Sequence, residues 1–257
     1  MKSKRGKVTN IIEVVEWCFE KIKIGREVNY MLTKNTNSDN IIGEMEYELE
    51  EEKFIGRGNL GKRPLTTYYN IFKKQGITYS YEESKLNLIV SGKLSPGTFE
   101  VEGNVSSQFI TGLLFTLPLL NGDSKIIITT EMESKGYIDL TLRAMNDFGI
   151  EVINNDYKEF IIKGNQKYKA RSYRVEGDYS QAAFFLCADG LGNDVLCKDL
   201  DLNSLQGDKE VIDILERMNV VFNVNKIGVR GTTNGELIST VIDGSQCPDI
   251  IPVLTSV

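Results

Sequence analysis

The chain is expected to fold as an α/β (α+β) protein made of repeated β-α-β-α-β-β units, and two observations predict it. The segment Phe99-Glu100-Val101-Glu102-Gly103-Asn104-Val105-Ser106 recurs as Tyr173-Arg174-Val175-Glu176-Gly177-Asp178-Tyr179-Ser180. Downstream of each copy the elements also match in kind and order: an apolar helix, a strand, a polar turn, an amphipathic helix and two short strands. A repeat of this length, roughly seventy residues, is one supersecondary unit whose apolar face is covered by its neighbours.

Each element is predicted from local pattern. Residues 98–102 alternate large apolar with acidic side chains, the period of a half-buried strand. Residues 109–117 are almost wholly apolar, predicting a buried helix that ends near Pro118, and 125–129 predict the next strand. Ile138, Leu142, Met145 and Phe148 then recur at helical spacing on one face, and 150–153 with 160–162 close the unit. The second copy gives a strand at 173–176 by the repeat, a buried apolar helix at 182–188, a strand at 194–198, a helix with Val211, Ile212, Leu215 and Met218 inward, and strands at 220–224 and 227–229. The later half of a unit precedes both: a strand at 54–57, a helix from Pro64 through Tyr68, Ile71 and Phe72, and strands at 77–81 and 86–90. Proline suits the first turn of that helix. A further copy is expected to begin at 240–245. Residues 1–53 match no copy; 11–24 read as an amphipathic helix and 44–52 as a solvated acidic run.

Bulk properties narrow the function. The 257 residues carry a formal net charge of −6, which opposes a general nucleic-acid surface while permitting a local basic pocket. Histidine is absent, so Ser-His-Asp and Cys-His catalysis and HExxH zinc sites are excluded. Acid–base chemistry must come from Asp, Glu, Lys, Tyr or Cys. Cys18, Cys187, Cys197 and Cys247 are scattered with no CxxC pair, which predicts core thiols of a reducing cytosol rather than a metal or disulfide framework. No run reaches the length of a membrane span, so a cytoplasmic location is expected.

The most informative stretch is 103–108. A glycine turn and two serines stand where a strand gives way to a helix, and free N–H groups and the helix dipole there favour an anion. From the spacing alone Ser106 or Ser107 reads first as a helix cap, the commoner use of serine at such a position. Asp249, after Pro248, is explained on its own as a cap of the helix from Ile250, Ser134 and Tyr137 as turn and core residues, and Arg63 as an exposed arginine. A cation at a helix start opposes the dipole, however, which hints at an anionic partner for Arg63. Asp178, Ser180 and Asp208 read as caps and turns.

Five ordered motifs carry a resemblance. Leu60-Gly61-Lys62-Arg63-Pro64, Gly103 to Ile110, Glu133 to Asp139, Ser204-Leu205-Gln206-Gly207-Asp208 and Gln246-Cys247-Pro248-Asp249-Ile250 closely resemble the EPSP synthases, which are enolpyruvyl transferases, across about 54–257. The resemblance implies the inside-out α/β barrel of that fold, incomplete here, with a divergent segment at 1–53, a partial first domain at 54–171 and a partial second at 172–257. It implies transfer of the enolpyruvyl group of phosphoenolpyruvate to the 5-hydroxyl of shikimate 3-phosphate, without metal or organic cofactor, by a monomer with small-molecule partners. It assigns shikimate 3-phosphate contacts to Ser106, Ser107, Gln108, Ser134, Tyr137 and Asp249, phosphoenolpyruvate contacts to Arg63 and Gln108, and the catalytic base to Asp249.

Departures from the family pattern are part of the reading. Its early Pro-Ser-Lys-Ser-like and glycine-rich segments have no counterpart in 1–53, and its late lysine- and arginine-bearing segments are missing. Impaired activity of this chain alone is therefore expected. Two alternatives stand beside it. One is the sister reaction on UDP-N-acetylglucosamine, disfavoured by Ser106-Ser107-Gln108 and by the lack of a loop cysteine; the other is a non-catalytic anion-binding module.

Overall fold

The computed structural model describes residues 52–55, 65–82, 87–225, 227–233 and 235–257, with backbone alone for 52–55 and for Asn87. The expected helix at 11–24, most of the acidic run, Arg63 and Pro64 lie outside the described residues.

Strand β1 (Glu52–Ile55), helix α1 (Thr66–Gln75), and strands β2 (Thr78–Tyr81) and β3 (Asn87–Ser91) form the first group, with an antiparallel sheet ordered β1-β3-β2. Strand β1 starts within the acidic run, two residues before the predicted domain boundary at 54. Helix α1 stops at Gly76, whose left-handed φ of 70° lets its N–H turn back to Lys73, with Ile77 N–H bonding the Phe72 carbonyl at 2.9 Å. Such a glycine C-cap satisfies carbonyls that the helix leaves open. Tyr69 stacks on Tyr79 and Tyr81 at centroid distances of 5.1 and 4.5 Å.

The complete repeat unit comes next: β4 (Thr98–Val101), α2 (Ser107–Thr116), β5 (Ser124–Ile128), α3 (Lys135–Asp147), β6 (Val152–Asn155) and β7 (Glu159–Ile162). The sheet runs β4-β5-β7-β6, with β4 and β5 parallel and the other pairs antiparallel. Helix α2 is the centre of the first core, since Ile110, Leu113 and Leu114 are fully enclosed. Each such side chain contributes about 1.5–3 kcal/mol on burial. Tyr68 of α1 meets Phe109 edge-on at 4.7 Å, joining the half unit to the complete one. Ile138, Met145 and Phe148 of the α3 stripe are buried and Leu142 packs against the same core, as the spacing predicts.

The second copy contains α4 (Tyr179–Gly190), a 3-10 turn at Gly207–Lys209, α5 (Glu210–Arg217), and the antiparallel pair β8 (Val220–Asn225) and β9 (Gly228–Thr233). A separate core gathers Val211, Ile212, Leu215 and Met218 with the buried face of α4. A second 3-10 turn, Pro248–Ile250, leads into α6 (Ile251–Leu254).

Three expectations need correction. The predicted strands at 173–176 and 194–198 are not strands; a single bridge, Cys197 to Val229, stands for the second. Residues 195–198 carry one β-branched side chain where 126–129 carry four, so the segment has less to pack on a pleated surface. Helix α4 is not buried all round: Phe184 and Phe185 are 53% and 57% exposed, because Tyr179, Ala182, Ala183 and Leu186 hold the inward face. Residues 240–245 form no strand.

The repeat nevertheless has a physical signature at its glycines. A Cβ on Gly103 would lie 2.8 Å from the Glu131 carbonyl, and one on Gly177 would lie 2.7 Å from the Asp199 carbonyl. In both copies the turn into the first helix crosses the chain leaving the second strand position, and a side chain would block the crossing.

Candidate functional site

Parallel strands β4 and β5 deliver two helix N-termini to the same end of one sheet. Loop 103–104 is tied to the loop after β5: Gly103 N–H donates to Thr130 Oγ1 at 2.9 Å, Thr130 donates to Asn104 Oδ1 at 2.9 Å, and Glu133 N–H donates to the Gly103 carbonyl at 3.2 Å. Further along the helices, Thr111 and Thr141 hydroxyls meet at 3.2 Å. The segments 106–108 and 134–137 are thus neighbours, although about thirty residues separate them.

Ser106 is the N-cap of α2, its hydroxyl accepting the Gln108 N–H at 3.3 Å. Ser107 occupies the first helical position and Gln108 is exposed. Ser134 precedes α3 in the left-handed region, φ 53° and ψ 42°, and its side chain does not cap the helix. A serine held there is uncommon and mildly strained. Its N–H donates to the Ser245 carbonyl at 3.3 Å, and Lys135 N–H donates to Gln246 Oε1 at 2.9 Å. The first turn of α3 is therefore capped by Ser245 and Gln246, which follow the second copy in the chain.

Glycine makes this close approach possible. A Cβ on Gly136 would lie 2.8 Å from Gly207 N and 2.9 Å from the Leu205 carbonyl. Beside it, the Tyr137 hydroxyl reaches two carboxylates, Asp208 Oδ2 of the second copy at 2.7 Å and Asp249 Oδ2, beyond that copy, at 3.2 Å. Burial, then the hydrogen bond and charge of Asp208, push the Tyr137 phenol above its ordinary range, with Asp249 adding to the effect. The phenol is consequently a proton holder at neutral pH.

Asp249 lies exposed in the second position of the 248–250 turn, whose N-cap is Cys247. It does not cap a helix, so its carboxylate remains available. Asp208 is 1% exposed. Ser180 donates to the same Asp208 Oδ2 that Tyr137 uses. Asp178 does cap α4, accepting Gln181 N–H at 3.2 Å; Ser180 and Asp208 have this further role across the two copies. Their pairing was not legible in sequence, because 71 residues separate Asp208 from Tyr137; the motif 204–208 was the signal present.

Ser134, Tyr137 and Asp249 thus meet at one junction, with Ser106, Ser107 and Gln108 on the adjoining helix start. Arg63 lies outside the described residues. Among the described residues no group of three or more Cys, Asp or Glu side chains is arranged to hold a metal ion, and no helix is long and apolar enough to cross a membrane.

Comparison with known proteins supplies the family. The profile of EPSP synthase (3-phosphoshikimate 1-carboxyvinyltransferase) matches residues 45–255. A 3-phosphoshikimate 1-carboxyvinyltransferase of Clostridium beijerinckii is 68% identical over 205 residues, covering 80% of this chain and 47% of the relative. That of Clostridioides difficile is 65% identical over 206 residues, with 80% and 47% covered. The chain therefore spans about half the length of these relatives. An EPSP synthase structure from Acinetobacter baumannii superposes with a TM-score of 0.59 at 20% identity, covering 79% of this chain and 48% of that one. This likeness establishes the fold.

Proposed function

The chain belongs to the EPSP synthase family, and from that premise we propose that it carries the shikimate 3-phosphate side of an enolpyruvyl-transfer site. The observation that carries the reading is the Tyr137–Asp249 contact, which joins two family motifs 112 residues apart. In this reading Ser106, Ser107, Gln108 and Ser134 offer hydroxyl, amide and backbone donors from two adjacent helix starts to the phosphate. Tyr137 lines the same ligand site, with its phenolic proton directed to Asp208.

Asp249 takes the proton of the 5-hydroxyl as that oxygen attacks C2 of phosphoenolpyruvate. The methylene carbon takes a proton from an acid other than the residues named here and becomes a methyl group; the tetrahedral ketal then loses one methyl proton as its C–O bond to phosphate breaks, so the enolpyruvyl double bond re-forms and inorganic phosphate leaves. Exposed and free of a capping role, Asp249 suits a base that must meet an incoming hydroxyl. Arg63 and Gln108 hold phosphoenolpyruvate; a guanidinium matches carboxylate and phosphate geometry in a bidentate manner. The donors named for the phosphate are neutral, whereas Asp208 and Asp249 are acidic, so binding by this chain alone is weak. Each missing preorganised group costs about 100- to 1000-fold in turnover. The free thiols of Cys187, Cys197 and Cys247 fit a reducing, cytoplasmic setting.

Calorimetric titration with shikimate 3-phosphate, paired with a phosphate-release assay on both substrates, tests the proposal. Saturable binding with little or no turnover is expected. Absence of binding to the folded chain would overturn the substrate assignment, and turnover near an ordinary ~10 s⁻¹ would overturn the expected impairment.

A further inference from the structure

Asp208 is a carboxylate enclosed in protein, and its hydrogen bonding is lopsided. Both hydroxyls that reach it, those of Tyr137 and Ser180, point at Oδ2. Oδ1 is buried with no hydrogen-bond partner among the described residues. No ammonium or guanidinium group of the described residues forms an ion pair with it. Buried carboxylates are ordinarily paired or fully bonded, so the retention of this one calls for a role.

The geometry at Tyr137 supplies it. A phenol has one proton to donate, yet two carboxylate oxygens stand within reach, at 2.7 Å and 3.2 Å. The shorter bond goes to Asp208. With its proton directed there, the phenolic oxygen faces Asp249 with lone pairs only. An ionised Asp249 gains nothing from that oxygen, whereas a protonated Asp249 can donate to it. The result is a chain in which Asp249 O–H donates to Tyr137 and Tyr137 O–H donates to Asp208.

We propose that Asp208 is a positioning residue for Asp249: by holding the Tyr137 proton on its own side, it makes the phenolic oxygen an acceptor for the O–H bond that Asp249 gains when it takes a proton. When Asp249 accepts a hydroxyl proton from substrate, the new O–H bond forms on Asp249 as the substrate O–H bond breaks. The phenolic proton remains on Tyr137, and no redox change occurs. Ser180 keeps Asp208 from rotating away.

Besides Tyr137 and Asp208, the titratable groups that set a background at this turn are Cys247, two residues before Asp249, and the Glu210 and Asp243 carboxylates that act on it. Glu210 Oε2 accepts from the Cys247 thiol at 3.7 Å, and burial followed by the Glu210 and Asp208 charges pushes that thiol up to about 12. Cys247 is thus neutral across the range in which a carboxylate titrates.

This inference deepens the reading of Asp249 as the base, but its test needs no substrate, so failure to bind shikimate 3-phosphate would leave it standing. The carboxyl carbon of Asp249 is followed by carbon-13 NMR from pH 3 to 8 in the whole chain, with Asp249→Asn providing the assignment. In Tyr137→Phe the midpoint should fall, because the acceptor for the protonated form is gone. Were Tyr137 instead a donor to Asp249, the same substitution would raise the midpoint. A rise, or no change, overturns the proposal. Asp208→Asn should lower the midpoint more in the wild-type background than in Tyr137→Phe, since the freed phenol then donates to Asp249. Equal shifts in both backgrounds would reduce Asp208 to a through-space charge and also overturn it. If Asp208→Asn does not fold, the sign of the Tyr137→Phe shift decides alone.

Discussion

Substituting Gly136 by alanine tests whether α3 is pressed against the second copy as tightly as its backbone contacts indicate. At an open helix position the change would stabilise, since alanine exceeds glycine in helix propensity by about 1 kcal/mol. Here the added methyl would sit 2.8 Å from Gly207 N, 2.9 Å from the Leu205 carbonyl and 3.1 Å from Gly207 Cα. All three are backbone atoms, so no side chain can rotate away. Ordinary carbon contacts begin near 3.4 Å, which demands a separation of about 0.6 Å or a distorted turn. Overpacking of this kind costs about 1–3 kcal/mol. Set against the propensity gain, the net loss is up to about 2 kcal/mol, equivalent to at most roughly 4–8 °C in Tm for a chain of this size. The displacement would also lengthen the adjoining 2.7 Å bond from Tyr137 to Asp208. Urea titration followed by circular dichroism measures the stability change, and the Asp249 carbon-13 midpoint reads the junction. A stabilised Gly136→Ala chain, with the Asp249 midpoint unmoved, would refute the tight junction.

Two further predictions address the cap and the alkaline limit. Ser106→Ala should cost about 1 kcal/mol, the usual worth of a serine N-cap, whereas Ser107→Ala, at the first helical position, should stay within about 0.5 kcal/mol; urea titration of both variants separates them, and equal losses would contradict the capping geometry. Burial pushes the Cys187 thiol from 9.0 up to about 11 and, with Asp201, the Tyr179 phenol from 10.0 up to about 12. The native chain holds these protons after the unfolded chain has released them, so their contribution is fully present below about pH 9 and is lost as pH rises toward 12. Denaturation midpoints measured from pH 7 to 11 should be level at first and then decline, and a rise above pH 9 would contradict the assignment.

How much of this was legible in sequence depended on whether the cause was local. Period and composition located α2, α3 and α5 because their buried faces are written at helical spacing, as Ile138, Met145 and Phe148 show. The glycine turns were visible as a repeat, and the carbonyls crossing Gly103 and Gly177 explain why glycine stands at both. The first two strands of the second copy, unlike β8 and β9, do not form, because strand pairing depends on a partner and on β-branched side chains, which 195–198 mostly lacks. Phe184 and Phe185 were misread because an all-apolar helix does not say which face its neighbours cover. Ser106, Ser107, Gln108, Ser134, Tyr137 and Asp249 are candidates singled out through motifs, and the adjacency of 106–108 to 134–137 arises from parallel strands that no motif encodes. The role of Asp208 was invisible, since a hydrogen bond across 71 residues leaves no local trace.

The most direct test of the central claim is amide NMR of the whole chain titrated with shikimate 3-phosphate. Saturable shift changes concentrated at residues 106–108, 134–137 and 249, and lost in Tyr137→Phe combined with Ser106→Ala, are predicted. A folded chain whose spectrum is unmoved by millimolar ligand, or whose shifts gather away from that junction, would contradict the account.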